Sequence, residues 1–265
     1  MNQSPSSTLS GPGTANSPFA VSIVVPVFNE EARVAQTLTE IASYFDDRAI
    51  PAQIIVADDG SSDDTVTIAR EFAASHANVC VLNLPHGGKA RAVLAGLAHA
   101  SAPVAGFTDV DLATPLATYE RCAEALANGY GVAIASREGE QAQRVGEPTY
   151  RHVMGRVFNG LVRLLLLPGI DDTQCGFKFF SREALDDILT RSRLYRSDEV
   201  IERPRVTAFD VEILYIARAH GHRIAVIPVT WFYGQQSKVN PLLDTIQNFR
   251  DVLRVRWNGW LGRYR

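Results

Sequence analysis

Two aspartates separated by one residue, Asp109 and Asp111, close the short apolar run Pro103–Thr108. Strand side chains alternate in direction, so carboxylates two positions apart leave a strand pointing the same way. Paired oxygen donors of this kind suit a hard divalent cation, Mg2+ or Mn2+, which also bridges phosphate oxygens. Two carboxylates alone would repel a diphosphate, and a cation between them resolves the conflict. A second acidic pair, Asp58 and Asp59, precedes Gly60 and ends another apolar run, Gln53–Ala57. Asp58, nearer the strand, can accept hydrogen bonds from a base or ribose, whereas Asp59 serves equally as a cap or turn residue. Two strands that each deliver carboxylates at one sheet edge predict a site for a metal-bound nucleotide.

Four further groupings carry chemistry. His86-Gly87-Gly88-Lys89 combines flexible backbone, a helix N-terminus and a cation, the ingredients of a phosphate cradle, without P-loop spacing. A glycine turn with a surface lysine is the plain alternative. On a helix, His152, Arg156, Asn159 and Arg163 share one face, a cationic stripe for an anionic partner such as a lipid phosphate or an ordinary solvated face. Asp210 and Glu212 lie two apart on a helical stretch and do not face each other, so one can enter a cleft while the other holds structure. Gln235-Gln236-Ser237-Lys238 reads as a lid carrying a cation or as a surface loop.

The elements that must position these groups follow from apolar runs. Val21–Val27 reads as a buried parallel strand, short and β-branched. A helix is expected from Asn29 as its cap, with Val34, Leu38, Ile41 and Phe45 at helical spacing. A strand Ile54–Ala57 leads into a helix capped by Ser62, and a strand Val79–Leu84 into a helix opened at Lys89. A strand ending at the Asp109/Asp111 pair is followed by a helix over 116–127 and a strand over 132–135. The polar stretch 137–149 reads as a mobile loop, followed by helices over 152–167 and 209–219 and a strand over 223–229. Strands alternating with helices at this spacing mean a mostly parallel sheet covered on both faces, which binds ligands beyond the carboxyl ends of its strands.

Bulk properties narrow the class. A chain of 265 residues with 46% apolar content supports one large core. A net charge of −3 argues against wrapping nucleic acid. Three scattered cysteines form neither a disulfide framework nor a zinc knuckle, which suggests a reducing compartment, the cytosol or its membrane surface. No stretch reaches the roughly 18 to 20 apolar residues that span a bilayer. Residues 1–18 are expected to form a disordered arm, 19–240 the folded domain and 241–265 an amphipathic basic helix. In that last segment apolar residues and Trp257 alternate with Arg250, Arg254, Arg256, Arg263 and Arg265, which suits a membrane interface or packing on the domain.

The stretches 21–31, 56–65, 87–93 and 108–111 resemble family 2 glycosyltransferases of the GT-A fold. Asp172-Thr-Gln-Cys-Gly-Phe-Lys-Phe-Phe180 and Phe209-Asp-Val-Glu-Ile-Leu214 are similar to dolichyl- and other polyprenyl-phosphate sugar transferases, above all the β-glucosyl branch. The resemblance covers about residues 20 to 240. It implies an α/β GT-A domain, a nucleotide-sugar donor, Mg2+ or Mn2+, and inversion at the anomeric carbon. By motif it implies that Pro26, Asn29 and Glu30 line the base and ribose pocket with Asp58 on the base, and that Gly88 and Lys89 border the nucleotide. Asp109 and Asp111 would hold ribose, diphosphate and metal; Gln174 and Lys178 would lie near sugar and phosphates; Asp210 and Glu212 would fall in the segment lining the donor sugar. Ala113 stands where mannosyl relatives often have Gln, which favours the glucosyl branch. Many members carry transmembrane helices and this chain has none, so it is expected to visit the cytoplasmic face of a membrane peripherally.

The expected reaction is transfer of glucose from UDP-glucose to a polyprenyl phosphate. Lys178 would stabilise the leaving diphosphate, and Arg151, Arg156 and Arg163, with Ser237 and Lys238, would align the acceptor phosphate. The alternatives are a GDP-mannose-dependent enzyme, a transferase with a soluble hydroxyl acceptor using Asp210 or Glu212 as base, and a non-catalytic nucleotide-sugar-binding protein; an oligomer is compatible with each.

Overall fold

The computed structural model describes residues 17–146, 148–195, 207–233 and 241–265. The expected arm falls almost wholly outside them. At the centre is β1 (Val21–Val27), buried along its whole length because both of its faces are covered. Parallel to it run β2 (Ala52–Asp58) on one side and β4 (Val104–Thr108) on the other, and β3 (Val79–Asn83) extends the sheet beyond β2. Past β4 lie β7 (Phe177–Ser181), β5 (Val132–Ser136) and β8 (Ile224–Pro228), giving the order β3-β2-β1-β4-β7-β5-β8. Only β7 runs antiparallel to its neighbours in this sheet.

Alternation along the strands sorts the core into two layers. Ile23 and Val25 of β1 and Ile54 and Val56 of β2 face the helices α1 (Val34–Asp46), α2 (Thr65–Ser75) and α4 (Thr118–Ala127). Val24, Ile55 and Phe107 face the opposite layer of α3 (Lys89–His99), α5 (Thr149–Leu165), α6 (Arg182–Arg191), α7 (Phe209–Ala219) and α8 (Pro241–Trp260). All three cysteines are free. Among the described residues no helix is long and apolar enough to cross a membrane.

Several boundaries differ from expectation. Asn29 does not cap α1: it takes a left-handed conformation (φ 52°), and a turn over residues 31–33 intervenes before Val34. Asn tolerates that conformation because its short amide bonds locally. Ser62 does not cap α2 either, since Asp64 holds that place. The polar stretch 137–149 contains β6 (Gln143–Val145), which pairs in parallel with β9 (Thr230–Phe232) in a small second sheet. Its side chains are exposed or half-buried, so no apolar alternation marked it.

Candidate active site

The site lies where β2, β1 and β4 end side by side. The register pairs Val27 with Asp58 and Val24 with Phe107. The two acidic clusters therefore flank β1, roughly two strand spacings, or about 10 Å, apart. Asp58 is fully buried, and its carboxylate accepts from the N–H groups of Gly60 (3.1 Å) and Ser61 (3.1 Å). Asn29 laces the neighbouring loops together: its N–H donates to Ser61 Oγ (2.9 Å) and its Oδ1 accepts from Ser62 N–H (2.8 Å). The Glu30 N–H donates to Thr65 Oγ1 (2.7 Å). Pro26 is buried within β1, while Asn29 and Glu30 are half-buried at its end.

Asp59 has a structural task. Its carboxylate accepts from the Gly87 N–H (2.7 Å) and the Gly88 N–H (2.9 Å) and meets His86 Nδ1 (2.8 Å). The expected phosphate cradle is corrected accordingly, because the amides of Gly87 and Gly88 are already bound to a carboxylate. Lys89, the first residue of α3, emerges from this loop with its side chain 43% exposed and pairs with Asp109 Oδ1. One continuous wall thus runs from Asp59 through the glycine loop and Lys89 to Asp109, joining the two acidic clusters.

Asp109 and Asp111 lie just beyond β4, not in it, so strand alternation does not orient them. A tight turn does: Leu112 N–H returns to Asp109 O (3.1 Å), Leu112 is left-handed (φ 47°), and Asp111 Oδ1 accepts from Ala113 N–H (3.1 Å). Burial, and then the negative charge of Asp109, push the Asp111 carboxyl above the usual carboxylate range. At Lys89 burial opposes the charge, but Asp109, Asp210 and Asp111 together hold its ammonium above the ordinary lysine value. Among the described residues no three metal-binding side chains are grouped.

Asp109 rests against the turn that precedes β7. Its N–H donates to Gly176 O (3.0 Å), and a Cβ added at Gly176 would overlap its carboxylate. Gly176 lies inside the Asp172–Phe180 motif that carries the resemblance, but nothing in the sequence assigned it a role of its own. That turn is clamped from behind. Asp172 is fully buried and takes two bonds from the Arg137 guanidinium, both 2.8 Å, and one from Arg137 N–H (2.9 Å). Burial opposes its ionisation, but the guanidinium holds the Asp172 carboxyl well below the usual range. Asn159 on α5 accepts from Thr173 N–H and Oγ1 at 3.2 and 3.1 Å. Half-buried Gln174 sits between these clamps.

Lys178 does not open into the site. It has no exposed surface, and its ammonium donates to Asp210 Oδ1 and Cys175 O, both at 2.6 Å. It lies beneath the floor as the counter-ion of Asp210, because β7 carries it into the core. Asp210, at the start of α7, is pushed upward by burial and pulled down by Lys178, with burial prevailing. Glu212 faces away, as its spacing from Asp210 required, and accepts from Leu194 N–H (3.0 Å) and Tyr264 Oη (2.8 Å).

The stripe on α5 divides. Asn159 is buried in the Thr173 clamp, Arg163 pairs at the surface with Asp171 (2.8 Å), and Arg156 is exposed. The side chain of Arg151 and the whole of Ser237 and Lys238 lie outside the described residues.

A family model described as "Glycosyl transferase family 2" matches residues 22–189. Human dolichyl-phosphate beta-glucosyltransferase is 34% identical, the alignment covering 92% of this chain and 77% of that protein. The Dictyostelium discoideum protein of the same name is 30% identical over 91% of this chain and 75% of its own. Among solved structures, glucosyl-3-phosphoglycerate synthase from Mycobacterium tuberculosis, in complex with Mn2+ and UDP-glucose, superposes with a TM-score of 0.61 at 19% identity, over 96% of this chain and 84% of that one. Mannosyltransferase PcManGT from Pyrobaculum calidifontis, in complex with GDP-mannose and Mn2+, gives a TM-score of 0.59 at 20% identity, over 89% of this chain and 64% of that one.

Proposed function

The chain belongs to glycosyl transferase family 2, and on that premise we propose that it transfers glucose from UDP-glucose to a polyprenyl phosphate of the dolichyl type, with inversion at the anomeric carbon. The observation that carries this reading is the wall joining Asp59, Lys89, Asp109 and Asp111 at the ends of β2 and β4. The dolichyl-phosphate beta-glucosyltransferases among its relatives support the choice of sugar and acceptor.

Asp109 and Asp111 fit a divalent cation. Both are oxygen donors, Asp111 is raised by burial and by its neighbour's charge, and a cation, Lys89, already sits on Asp109. A pair of carboxylates is a sufficient protein ligand set where diphosphate oxygens and water complete the shell. Mg2+ or Mn2+ bound there would act as a Lewis acid on the leaving diphosphate.

The chain's own residues do the rest. Lys89, exposed and held charged by three carboxylates, takes the role first expected of Lys178 and stabilises negative charge on the departing nucleotide. Lys178 keeps Asp210 fixed from below, at the floor where the donor sugar would sit. Acceptor activation needs no base, because a phosphate monoester has a second pKa of about 6 and is largely dianionic at neutral pH. Asp210 would in any case be a poor base for a hydroxyl acceptor, since an ammonium already occupies one of its oxygens at 2.6 Å. What the reaction requires is alignment of two anions that repel each other, the task assigned to Arg156 with Arg151 and Arg163. A membrane-embedded acceptor also requires the enzyme to work at a bilayer surface, the cytoplasmic face being the expected one.

The test is transfer from UDP-glucose and from GDP-mannose to polyprenyl phosphate and to soluble sugar acceptors, with Mn2+ or with chelator. Lipid-linked glucose formed only with metal, and lost in Asp111→Ala, is the expected result. Turnover that survives chelation removes the cation, and transfer confined to soluble acceptors removes the lipid.

A further inference from the structure

The C-terminal helix carries two apolar stripes. One is the inner stripe, where Val252 and Val255 are fully buried against the domain. It is fastened by polar bonds: Asp251 accepts from Tyr195 Oη and from the Ala208 N–H, and Tyr264, just past the helix, donates to Glu212. The helix therefore cannot roll to cover its other side. On that other side Phe249, Leu253, Trp257 and Trp260 stand at spacings of four, four and three residues, one continuous arc of helix surface. They are 42%, 46%, 58% and 72% exposed. A helix with a single interface has no use for a second apolar arc, and large exposed apolar patches mark interaction surfaces.

Charge says which partner fits. At 100° per residue, Arg256 falls on one flank of the outer arc and Arg250 and Arg254 on the other. Arg263 and Arg265 follow immediately. The only acid from residue 247 to the C-terminus is Asp251, which is buried on the inner face. The outer face is therefore apolar along its centre and purely cationic along its edges. A water-exposed protein partner would be met by mixed charges, whereas an anionic lipid surface offers negative headgroups on both sides of an apolar interior. Tryptophan at the centre of the arc matches the headgroup boundary, where an amphipathic ring is most stable.

We propose that the outer face of α8 is a docking surface for an anionic lipid bilayer, lying in the headgroup plane while its inner face remains locked to α7. This deepens the proposed function, which needs a membrane but neither names the surface that meets it nor requires lipid charge. Because α7 begins at Phe209 and carries Asp210, the same contact places the active site at a fixed height above the bilayer.

The test uses the full-length protein and vesicles free of polyprenyl phosphate, so that it is independent of catalysis. Sedimentation with phosphatidylcholine vesicles is compared with sedimentation with an equal mixture of phosphatidylcholine and phosphatidylglycerol. Binding to the anionic vesicles at least about tenfold tighter, weakened by salt, is expected. Arg250→Glu combined with Arg256→Glu should abolish that preference. Binding to the anionic vesicles should weaken at least about tenfold in Trp257→Ser/Trp260→Ser, with an unchanged Tm because both side chains are exposed. Equal affinity for both vesicle types, no binding to either, or full binding by the charge-reversed protein overturns the proposal. So does a wild-type dimer in solution that the tryptophan variant dissolves, which would make a second copy of the chain the occupant. Failure here leaves transfer in detergent intact, whereas failure of the transfer reaction leaves vesicle binding intact.

Discussion

Replacing Gly176 by Ala isolates the positioning of Asp109 from its chemistry. Gly176 does not need a left-handed backbone, since its φ is not among the positive ones. The substitution therefore acts through the added methyl alone. That methyl would overlap both the Asp109 carboxylate and its Cγ. Aspartate is too short to yield by its tip, so the whole carboxylate must turn away and leave Lys89. A displacement on the order of 1 Å in a reacting constellation costs about 10²-fold in rate, equivalent to roughly 2.7 kcal/mol of barrier. The fold should lose much less, because the Asp109 side chain is partly exposed and lies outside the two core layers. The assay is a titration of Mn2+ and of UDP-glucose with the purified Gly176→Ala protein, alongside its Tm. A kcat/KM about 10²-fold lower, a weaker metal response and a nearly unchanged Tm are expected. A variant within twofold of wild type with an unaltered metal response would refute the claim that Gly176 sets Asp109.

Three further outcomes follow from the same geometry. Lys89→Met removes a charge-assisted contact worth about 1.5 to 3 kcal/mol and should raise the donor KM roughly 10- to 100-fold; an unchanged donor KM would return the role to another cation. Arg156→Ala should raise the acceptor KM at least about tenfold while leaving UDP-glucose binding, followed by calorimetry, as it was. Arg137→Met strands the buried Asp172 charge and should cost about 3 to 5 kcal/mol in urea unfolding. Because the folded-state value of Asp172 is depressed, the stabilisation is complete above the ordinary aspartate pKa of about 3.9 and is lost as pH falls through the folded value below it. In Arg137→Met the carboxyl is left chiefly to burial, which raises it, so the variant recovers stability as Asp172 takes up a proton and the gap to wild type should narrow as pH falls below neutrality; a gap that stays constant from pH 7 down to strong acid contradicts the assignment.

The first four strands were legible because each is a short apolar run with turn residues behind it, and a central parallel strand has no polar face to disguise it. β7 was hidden by its own chemistry: Lys178 in Phe177-Lys-Phe-Phe reads as a site residue, and only the sheet reveals that its ammonium is sunk against Asp210. β6 was hidden by exposure. Which acids belong to the site was readable from their place after strands, but their orientation was not, since a turn and not the strand aims Asp109 and Asp111. The glycine loop was visible as a loop, yet its amides being bound to Asp59 depends on a partner 28 residues away. Periodicity grouped Asn159 with Arg156 and Arg163 but carried no information that Asn159 turns inward to Thr173 while the two arginines stay at the surface. The C-terminal helix posed a choice between packing and membrane, and the two arcs show that one face satisfies the first while leaving the second open.

Asp251 ties the C-terminal helix to the beginning of α7. A single oxygen of its buried side chain receives both the Tyr195 hydroxyl and the Ala208 amide, and Ala208 is the residue from which α7 sets out. Asp210 stands two positions further on, so the carboxylate that anchors the last helix also fixes the origin of the helix that carries it. A loss at Asp251 would therefore travel to Asp210 through the backbone, without any side chain of α8 entering the site.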